Sequence, residues 1–535
     1  MNPKSPVSLG PGVPAEFVTH FGGQCKAAVC GWDRLRLRGT LRSLFSPRLF
    51  RAYLTMAGVY LKDFADYAQA MSGRIREAAV QSAAAAGRPY RYFGQAGVNK
   101  LDLARRIAAD DRVRDGLIGV FAVVEPCMAT TIRLDQESGL LTPALQFRKC
   151  LHFYHYFQDP TFGCCHVRVQ SWMPYSIEIW INGREWLARQ MDRAGLGYLQ
   201  RGNCFTHLQD PRAAQRLLDR QHTLNWDKHL QRLLDQAHPL HRSITAPFPT
   251  LRYYWSVHES EYATDVMFTT PAALEAVYPR LLQHGLSTFA SVDIMRFLGH
   301  VVPARSGRVN GRFKAELNST YRHRPEGVRL KHQVGQNTMK MYDKQGQVLR
   351  VETTLNAPEV FKIWRSAAGR KRKRWRRLRR TIADLSTRAQ ISQNANRRYL
   401  HALAATRGHV PLAELAAPLS RPVHWQGRRY RALNPFAAAD AAVLALINRG
   451  EFAVEGLRNA DLQRALFQTP ARTPQEKRRH SAAAGRWLRL LRAHGLLHKV
   501  PGRHRYIVSP KGRLALTALL TAQHADIEQL TKLAA

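Results

Sequence analysis

The sequence predicts an α+β protein of several domains: an antiparallel-sheet α/β N-terminal region, a small β-meander unit, a long basic helix and a C-terminal winged helix-turn-helix. The chain has 535 residues, 45% of them hydrophobic, and at roughly 150 residues per domain this supports several cores. Segments that alternate apolar and polar residues indicate strands, and apolar residues three and four positions apart indicate helices. The expected domains are 1–245, 246–365, 366–420 and 421–535.

The N-terminal region, residues 1–245, contains an early strand with two different faces. Leu35 and Leu37 lie on one face, and Arg34, Arg36 and Arg38 lie on the other. One face is therefore expected in a core, while the other presents a row of guanidinium groups. Further strands are expected at 117–125, 151–157, 164–171 and 175–181, with a hairpin turn at 158–163. Helices are expected at 46–86, 100–115, 184–194 and 211–236.

Residues 328–355 are expected to form a three-stranded β meander. Its strands, 328–334, 338–342 and 347–355, are separated by Gly335-Gln-Asn and Lys344-Gln-Gly, which are turn-forming sequences. A helix pair at 271–284 and 291–298 precedes the meander. That pair is either a helix-turn-helix or an ordinary helical hairpin.

The charge balance indicates a polyanionic partner. Lys and Arg number 81 against 39 Asp and Glu, a formal net charge of +42. Such an excess repels itself unless a polyanion neutralises it, and nucleic-acid phosphates release condensed counterions when they meet Lys or Arg. We therefore expect the protein to bind DNA or structured RNA. The alternatives are a ribosome-like accessory protein, or an arginine count raised by a GC-rich genome.

The basic run at 370–380 is predicted to bind phosphates. Nine of its eleven residues are Lys or Arg, and like charges without acids cannot neutralise one another, although such runs are otherwise solvated helix faces or disordered tethers. It is expected to lead into a helix at 381–405. Its candidate nucleic-acid-binding residues are Arg370, Lys371, Arg372, Lys373, Arg374, Arg376, Arg377, Arg379 and Arg380.

The C-terminal segment has the element order of a winged helix. Helices are expected at 440–449, 460–467 and 482–494, followed by strand, basic turn and strand over 496–508 and by a closing helix. The third helix would face a major groove, and the turn would reach phosphate or minor groove. Winged helices that only contact protein are the alternative. The candidate contacts are Arg486, Arg489, Arg492, Lys499, Arg503, His504 and Arg505.

Other features restrict the class of protein. The seven cysteines include no paired CxxC motif, so free thiols in a reducing cytoplasm are expected. No stretch is predicted to be a secretion signal or a membrane span. The absence of a GxxxxGK[ST] motif argues against nucleoside triphosphate chemistry. A cytoplasmic protein is expected, and the sequence does not indicate its oligomeric state.

A catalytic centre is a further hypothesis. Lys340 and Tyr342 share one face of a meander strand, and Arg350 and Glu352 share a face of the next, so an aligned register would gather them. The alternative for these residues is a cross-strand salt bridge. A nuclease would also need Mg²⁺ held by carboxylates. No metal ligands can be assigned from spacing.

The segment "MKMYDKQGQVLRVETTL" resembles the C-terminal sheet signature of phage and plasmid replication initiators. That resemblance implies a nickase with a tyrosine nucleophile and a metal held by a His-hydrophobic-His strand. The nearest analogue here is His166-Val-Arg168, in which arginine replaces the second histidine. The resemblance therefore implies roles for Tyr342 and His166. Together with Lys340 and Glu352 from the meander, these residues are the catalytic candidates.

The chain as a whole resembles a class of large basic bacterial proteins that end in a winged helix, through "WLRLLRAHGLLHKVPGRHRYIVSPKGR". This resemblance implies a nucleic-acid-binding protein of a mobile element or phage-like system. The alternatives are a metal-dependent nuclease or nickase and a non-catalytic RNA-binding component of a ribonucleoprotein.

Overall fold

The computed structural model describes most of the chain, namely residues 9–10, 12–95, 97–248, 250–300, 304–305, 308–309, 316–366, 372–404, 412–449, 452, 456–467, 469–501 and 504–524. The chain forms two compact units. The first unit comprises Met1–Val29, Thr264–Thr353 and Ile391–Ala535, and the second comprises Cys30–Ala263 and Thr354–Gln390. The four consecutive domains expected from the sequence stay a prediction.

The fold is mixed, with helices and strands interleaved along the chain. The helices are α1 (Ala15–Phe21), α2 (Pro47–Met56), α3 (Phe64–Ala85), α4 (Lys100–Asp110), α5 (Gly183–Arg193), α6 (Pro211–Asp219), α7 (Trp226–Ala237), α8 (His241–Thr245), α9 (Pro271–Glu275), α10 (Tyr278–Thr288), α11 (Ser291–Leu298), α12 (Leu385–Leu403), α13 (Leu412–Ala416), α14 (Ala438–Ile447), α15 (Asn459–Leu466), α16 (Pro474–Ala493) and α17 (Pro510–His524). None of these helices in the described ranges is both long and apolar enough to cross a bilayer.

Some of the strands belong to one large sheet, and the others form separate two-stranded pairs. They are β1 (Cys25–Thr40), β2 (Tyr90–Phe93), β3 (Gly116–Leu134), β4 (Leu141–Asp159), β5 (Gly163–Gln170), β6 (Ile177–Asn182), β7 (Tyr198–Arg201), β8 (Cys204–Leu208), β9 (Tyr254–Phe268), β10 (Ala304–Arg305), β11 (Arg308–Val309), β12 (Leu317–Arg324), β13 (Gly327–Val334), β14 (Asn337–Lys344), β15 (Val348–Thr354), β16 (Lys362–Ser366), β17 (Lys373–Arg377), β18 (Val423–Trp425), β19 (Arg428–Tyr430), β20 (Leu497–Lys499) and β21 (Tyr506–Val508).

In the second unit the strand order is β9-β1-β6-β5-β4-β3-β2. The pairings from β1 through β6, β5 and β4 to β3 are antiparallel, whereas β2 joins β3 in parallel. The predicted antiparallel sheet and its hairpin at 158–163 are therefore confirmed. Alternation along β1 is also as predicted, because Leu35 and Leu37 are buried while Arg34, Arg36 and Arg38 are half-buried.

Several elements of this unit differ from the prediction. Strands β3 and β4 extend well past the buried stretch at 117–125. Before residue 152, β4 has no β5 partner, and this outer hairpin tolerates Pro126 and Pro143. The predicted helix 46–86 is interrupted at Gly58, which has a positive φ of 70° and ends α2. In place of the single helix predicted at 211–236 there are two, α6 and α7, because Asn225 caps the start of α7.

In the first unit the strand order is β12-β13-β14-β15-β9. The predicted meander corresponds to β13, β14 and β15, with antiparallel pairing of β13 and β14. Strand β12 pairs antiparallel with β13 and was not predicted, because its mostly exposed residues lack an apolar face. The predicted helix pair is present as α9, α10 and α11.

The helix predicted at 381–405 is present as α12 but starts later, and the sequence analysis predicted no strand in the basic run before it. Residues 373–377 form strand β17, which pairs with β16, and helix α12 begins only at Leu385. The side chain of Thr381 accepts a hydrogen bond from the backbone of Ala383 and opens a short 3-10 turn that precedes the helix. Arg370 and Lys371 lie outside the described residues.

The C-terminal part of the first unit contains three helices, α14, α15 and α16, followed by β20, β21 and α17 around one apolar core. Helix α16 starts eight residues before the predicted Ala482. The side chain of Thr473 accepts from the backbone of Glu476, and Glu476 accepts from the backbone of Thr473. This reciprocal capping box is a stronger start than Ser481.

Replacing Asp265 by Asn should destabilise the first unit. Arg350 donates to Asp265 at 2.6 and 2.9 Å, and both side chains are fully buried. Loss of the carboxylate leaves a buried guanidinium without its counter-charge, which costs about 3–5 kcal/mol. Thermal denaturation of the full chain should show a lower unfolding temperature than that of the parent protein.

The double variant R350M/D265L should recover part of the loss, because it removes both charges of this pair together. The exposed Glu137 provides the control, and E137Q should leave the transition unchanged. A D265N protein as stable as the parent would contradict the role given to this pair.

Candidate nucleic-acid interface

Strands β16 and β17 form a two-stranded hairpin in the second unit. Their register places Lys362 opposite Arg377, Trp364 opposite Trp375 and Ser366 opposite Lys373. Directly opposed residues, and those two positions away, share one face of an antiparallel pair. All six of these side chains are exposed. We call this set the tryptophan face.

The two tryptophans dominate the tryptophan face. Trp364 is 56% exposed and Trp375 is 65% exposed, and their ring centroids lie 5.4 Å apart with the rings tilted by 60°. Large aromatic side chains are usually buried because of their apolar area. Two of them held side by side in solvent therefore indicate a surface for a partner.

The opposite face of the hairpin is fixed to Asp384. Arg365 donates to both carboxylate oxygens at 2.8 and 2.9 Å, and Arg379 donates to them at 2.7 and 3.1 Å. Burial opposes ionisation of Asp384, but the hydrogen bonds from Arg379 and the charge of Arg365 prevail and lower its pKa. These two guanidinium groups thus share one carboxylate within the protein.

Other cations of the hairpin remain exposed. Within the described ranges, Lys362, Lys373, Arg374 and Arg377 have no ion pair with a carboxylate, and no acidic residue lies on either strand. Arg376 is half-buried, while Arg372 and Arg380 are exposed, and Arg380 pairs with Glu359 at 3.4 Å. The sequence analysis predicted the charge of the basic run, but it did not identify the pair of Trp364 and Trp375. The signal was the spacing of Trp364 and Trp375 on either side of residues 367–372, three of which are basic.

Arginines on β1 contact carboxylates, which the sequence analysis did not predict. Arg34 donates to Glu259 at 2.5 Å and to Glu261 at 2.8 Å, and Arg36 donates to Glu178 at 2.8 Å. Burial opposes ionisation of Glu178, but Arg36 prevails and lowers the pKa of that carboxyl group. Two of the three guanidinium groups therefore already have carboxylate partners. Binding of phosphate by Arg34, Arg36 and Arg38 stays a prediction.

Helix α16 in the first unit carries an exposed basic face. Arg478, Arg479, Arg486 and Arg489 are all exposed, and at 100° per residue they fall within one third of the helix circumference. The buried side of the helix is formed by Ala484, Leu488 and Leu491. The sequence prediction identified Arg486 and Arg489 but missed Arg478 and Arg479, because it began the helix too late.

The remaining C-terminal candidates divide by environment. Arg492 lies over the rings of Trp425 at 4.7 Å and Tyr506 at 5.9 Å, so it contributes to packing. Lys499 and His504 are exposed near the β20–β21 turn, and Arg505 is half-buried. Arg503 lies outside the described residues.

The catalytic candidates do not all share one environment. In the first unit, Lys340 donates to Glu352 at 2.6 Å and both are buried, which is the salt bridge that the sequence offered as the alternative. Tyr342 is buried, with Lys344 5.0 Å from its ring centroid. In the second unit, His166 stacks on Trp180 with centroids 5.6 Å apart, and burial lowers its pKa to about 4. Catalysis by these residues stays a prediction.

Carboxylates that could hold a cation also occur in the second unit. Oxygen atoms of Asp33 and Glu261 lie within 4.8 Å of each other, and both residues are buried. Asp33 accepts from Asn203 at 2.8 Å and Glu261 accepts from Arg34. The pair is thus already hydrogen-bonded, and a Mg²⁺ ion would compete with Arg34 for Glu261.

The comparisons with known proteins assign no family. No family model matches the chain, and neither does any curated protein or solved structure.

Proposed function

We propose that the protein binds nucleic acid and that the tryptophan face holds unpaired bases. The observation that carries this proposal is the exposed Trp364–Trp375 pair with Lys362, Lys373 and Arg377 on the same face. Proteins that bind single strands combine aromatic side chains, on which bases stack, with cations that follow the backbone. A single-stranded nucleic acid has a base with a flat π-face and a phosphate in each repeat. It can therefore contact both the tryptophans and the cations of the tryptophan face.

Other partners fit the tryptophan face less well. A membrane surface would offer negative charge, but the short hairpin has no continuous apolar side to insert, because lysine and arginine alternate with its tryptophans. An acidic protein would neutralise the cations without requiring two adjacent stacking rings. The net charge of +42 further favours a long polyanion.

The C-terminal part of the first unit is proposed to be a winged helix-turn-helix that docks on a duplex. Support comes from the order of α14, α15, α16 and the β20–β21 pair around one core. Helix α16 exposes four arginines, and the small residues Ser481 and Ala482 between them would allow close approach of a phosphate backbone. This arrangement is typical of a recognition helix that enters a major groove.

Replacing Trp364 and Trp375 by Ala should weaken binding of a single-stranded oligonucleotide. Each stacked base contributes about 1–3 kcal/mol, so affinity should fall roughly fivefold or more for each tryptophan lost. Fluorescence anisotropy with labelled DNA and RNA oligonucleotides measures the change. Incubation of the same substrates with and without Mg²⁺ distinguishes a nuclease from a binder.

The control is Y60A, which removes a different aromatic ring that is 74% exposed in the second unit. Y60A should bind as the parent does, and W364F/W375F should keep most of the affinity. Equal affinities of the parent and the double alanine variant would contradict the stacking role.

Neutralising the cations of the tryptophan face should reduce the salt dependence of binding. Each phosphate contact in a single strand contributes about 0.7 to the slope of log K against log salt. The triple variant K362Q/K373Q/R377Q should therefore flatten that slope by about 2. Binding measured from 50 to 300 mM salt, roughly the range over which such slopes are determined, tests this.

The matched control removes the same charge elsewhere in the second unit. Arg48, Lys62 and Arg74 are exposed, and their triple glutamine variant should keep the parent slope. If both triple variants flatten the slope equally, the effect is one of net charge and the assigned face is wrong.

Helix α16 should affect duplex binding selectively. R486Q/R489Q should lower affinity for double-stranded DNA and reduce the salt slope by about 1.8, at about 0.9 per phosphate, while single-strand binding changes little. R492Q is the contrasting variant, because Arg492 packs on Trp425. It should lower the unfolding temperature more than it lowers the affinity for the duplex. Duplex binding that does not respond to R486Q/R489Q would contradict the proposed docking helix.

A further inference from the structure

Cys127 and Cys150 lie side by side on neighbouring strands of the second unit. In the β3–β4 register Cys127 is opposite Arg148 and Cys150 is opposite Glu125, which makes the two cysteines diagonal neighbours on one face. Each side chain is close enough to shift the pKa of the other. They are 8% and 9% exposed and pack with Ala129 against Trp172.

His152 stands on the same face of β4 and is fully buried. Its Nδ1 lies 2.9 Å from the carbonyl oxygen of Cys150, and because a carbonyl oxygen only accepts, Nδ1 carries the hydrogen. Its Nε2 has no well-aligned hydrogen-bond partner among the described residues, and the ring interacts with the side chain of Cys127. The imidazole therefore lies beside the thiol pair on this face.

The thiol pair loses its first proton easily. The hydrogen bond from Cys150 lowers the pKa of Cys127 to about 5, and His152 and Arg168 act in the same direction against burial. The same hydrogen bond raises the pKa of Cys150. Because the two sulfurs share one proton, the negative charge belongs to the pair.

Two of the other cysteines behave differently. Burial raises the pKa of Cys25 to about 12 and that of Cys164 to about 11. These thiols stay protonated and unreactive at neutral pH.

The thiol pair borders a cavity. Cys150 lines a cavity of about 520 Å³ between helix α3 and the β3–β4 hairpin, a volume within the range of small-molecule sites. Arg76 and Arg148 supply two positive charges, and none of the residues lining it is acidic. Glu125 is on the same strand face as Cys127 and accepts from Tyr154 and Arg168. The cavity thus favours an anionic ligand.

We propose that the Cys127–Cys150 pair is a thiol-exchange site for a small disulfide that carries carboxylate groups. Cys150 is the sulfur that lines the cavity, and transfer of the shared proton to Cys127 makes it the attacking thiolate. A bond forms between its Sγ and one ligand sulfur while the disulfide bond of the ligand breaks. The other ligand sulfur leaves as a thiolate and takes the proton from Cys127. Cys150 is thereby oxidised to a mixed disulfide and the leaving sulfur is reduced.

The test treats the full-length protein with three disulfides that differ in charge. Glutathione disulfide is anionic, bis(2-hydroxyethyl) disulfide is neutral and cystamine is cationic. Peptide mass spectrometry should find the first adduct on Cys150, and the anionic probe should react at least tenfold faster than the cationic one. Between pH 6 and 8 the rate should change less than threefold, whereas an ordinary thiol with a pKa of about 8.5 gains roughly 80-fold.

Variants separate the roles of the groups. C150S should abolish the adduct, while C127S should keep it but restore the steep pH dependence and slow the reaction at pH 6 at least tenfold. R76Q/R148Q should slow the reaction with glutathione disulfide and leave the rate with the neutral probe unchanged. C204S is the control for loss of a buried cysteine and should behave as the parent.

First labelling of any cysteine other than Cys150 would overturn the proposal. A steep pH dependence in the parent protein would also overturn it, as would equal rates for the anionic and cationic probes. A variant that fails to fold is detected by its thermal transition, and the parent pH profile and the probe series then still decide the outcome.

Discussion

The scarcity of carboxylates determines which cations of this protein are available to a partner. The chain has 81 basic side chains and 39 acidic ones, and several half-buried or buried carboxylates each pair with two cations. Asp384 accepts from Arg365 and Arg379, and Glu259 accepts from Arg34 and Arg36. These pairs hold strands and turns together, because a buried guanidinium without its carboxylate is strongly destabilising.

The cations without a carboxylate partner include those of the tryptophan face and those on the exposed side of α16, where no acidic residue intervenes. The hairpin is joined to the carboxylate of Asp384, and α16 packs on the core through Leu488 and Leu491. Because the backbone under each surface is already ordered, less conformational freedom is lost when the cations meet phosphates.

Local patterns were predictable from the sequence, and partners distant in the chain were not. The alternation of Leu35 and Leu37 with arginines predicts β1, and two glycine-containing turns predict the meander. The pairing of Arg34 with Glu259 joins residues 225 positions apart, which no periodicity reveals. The same holds for the Cys127–Cys150 pair: its sequence spacing of 23 residues carries no signal until the β3–β4 register is known. The basic run misled the prediction because its charges obscured the alternation of a strand.

The two proposed contact surfaces recognise different features of a nucleic acid. The tryptophan face needs unstacked bases, since a ring can stack only on a base whose π-face is free. The α16 face needs only a regular array of phosphates and a groove, which a duplex provides. Electrostatic attraction alone does not distinguish unpaired from paired segments, because both carry the same phosphates. In the proposed function the tryptophans rather than the arginines therefore set the preference for unpaired bases.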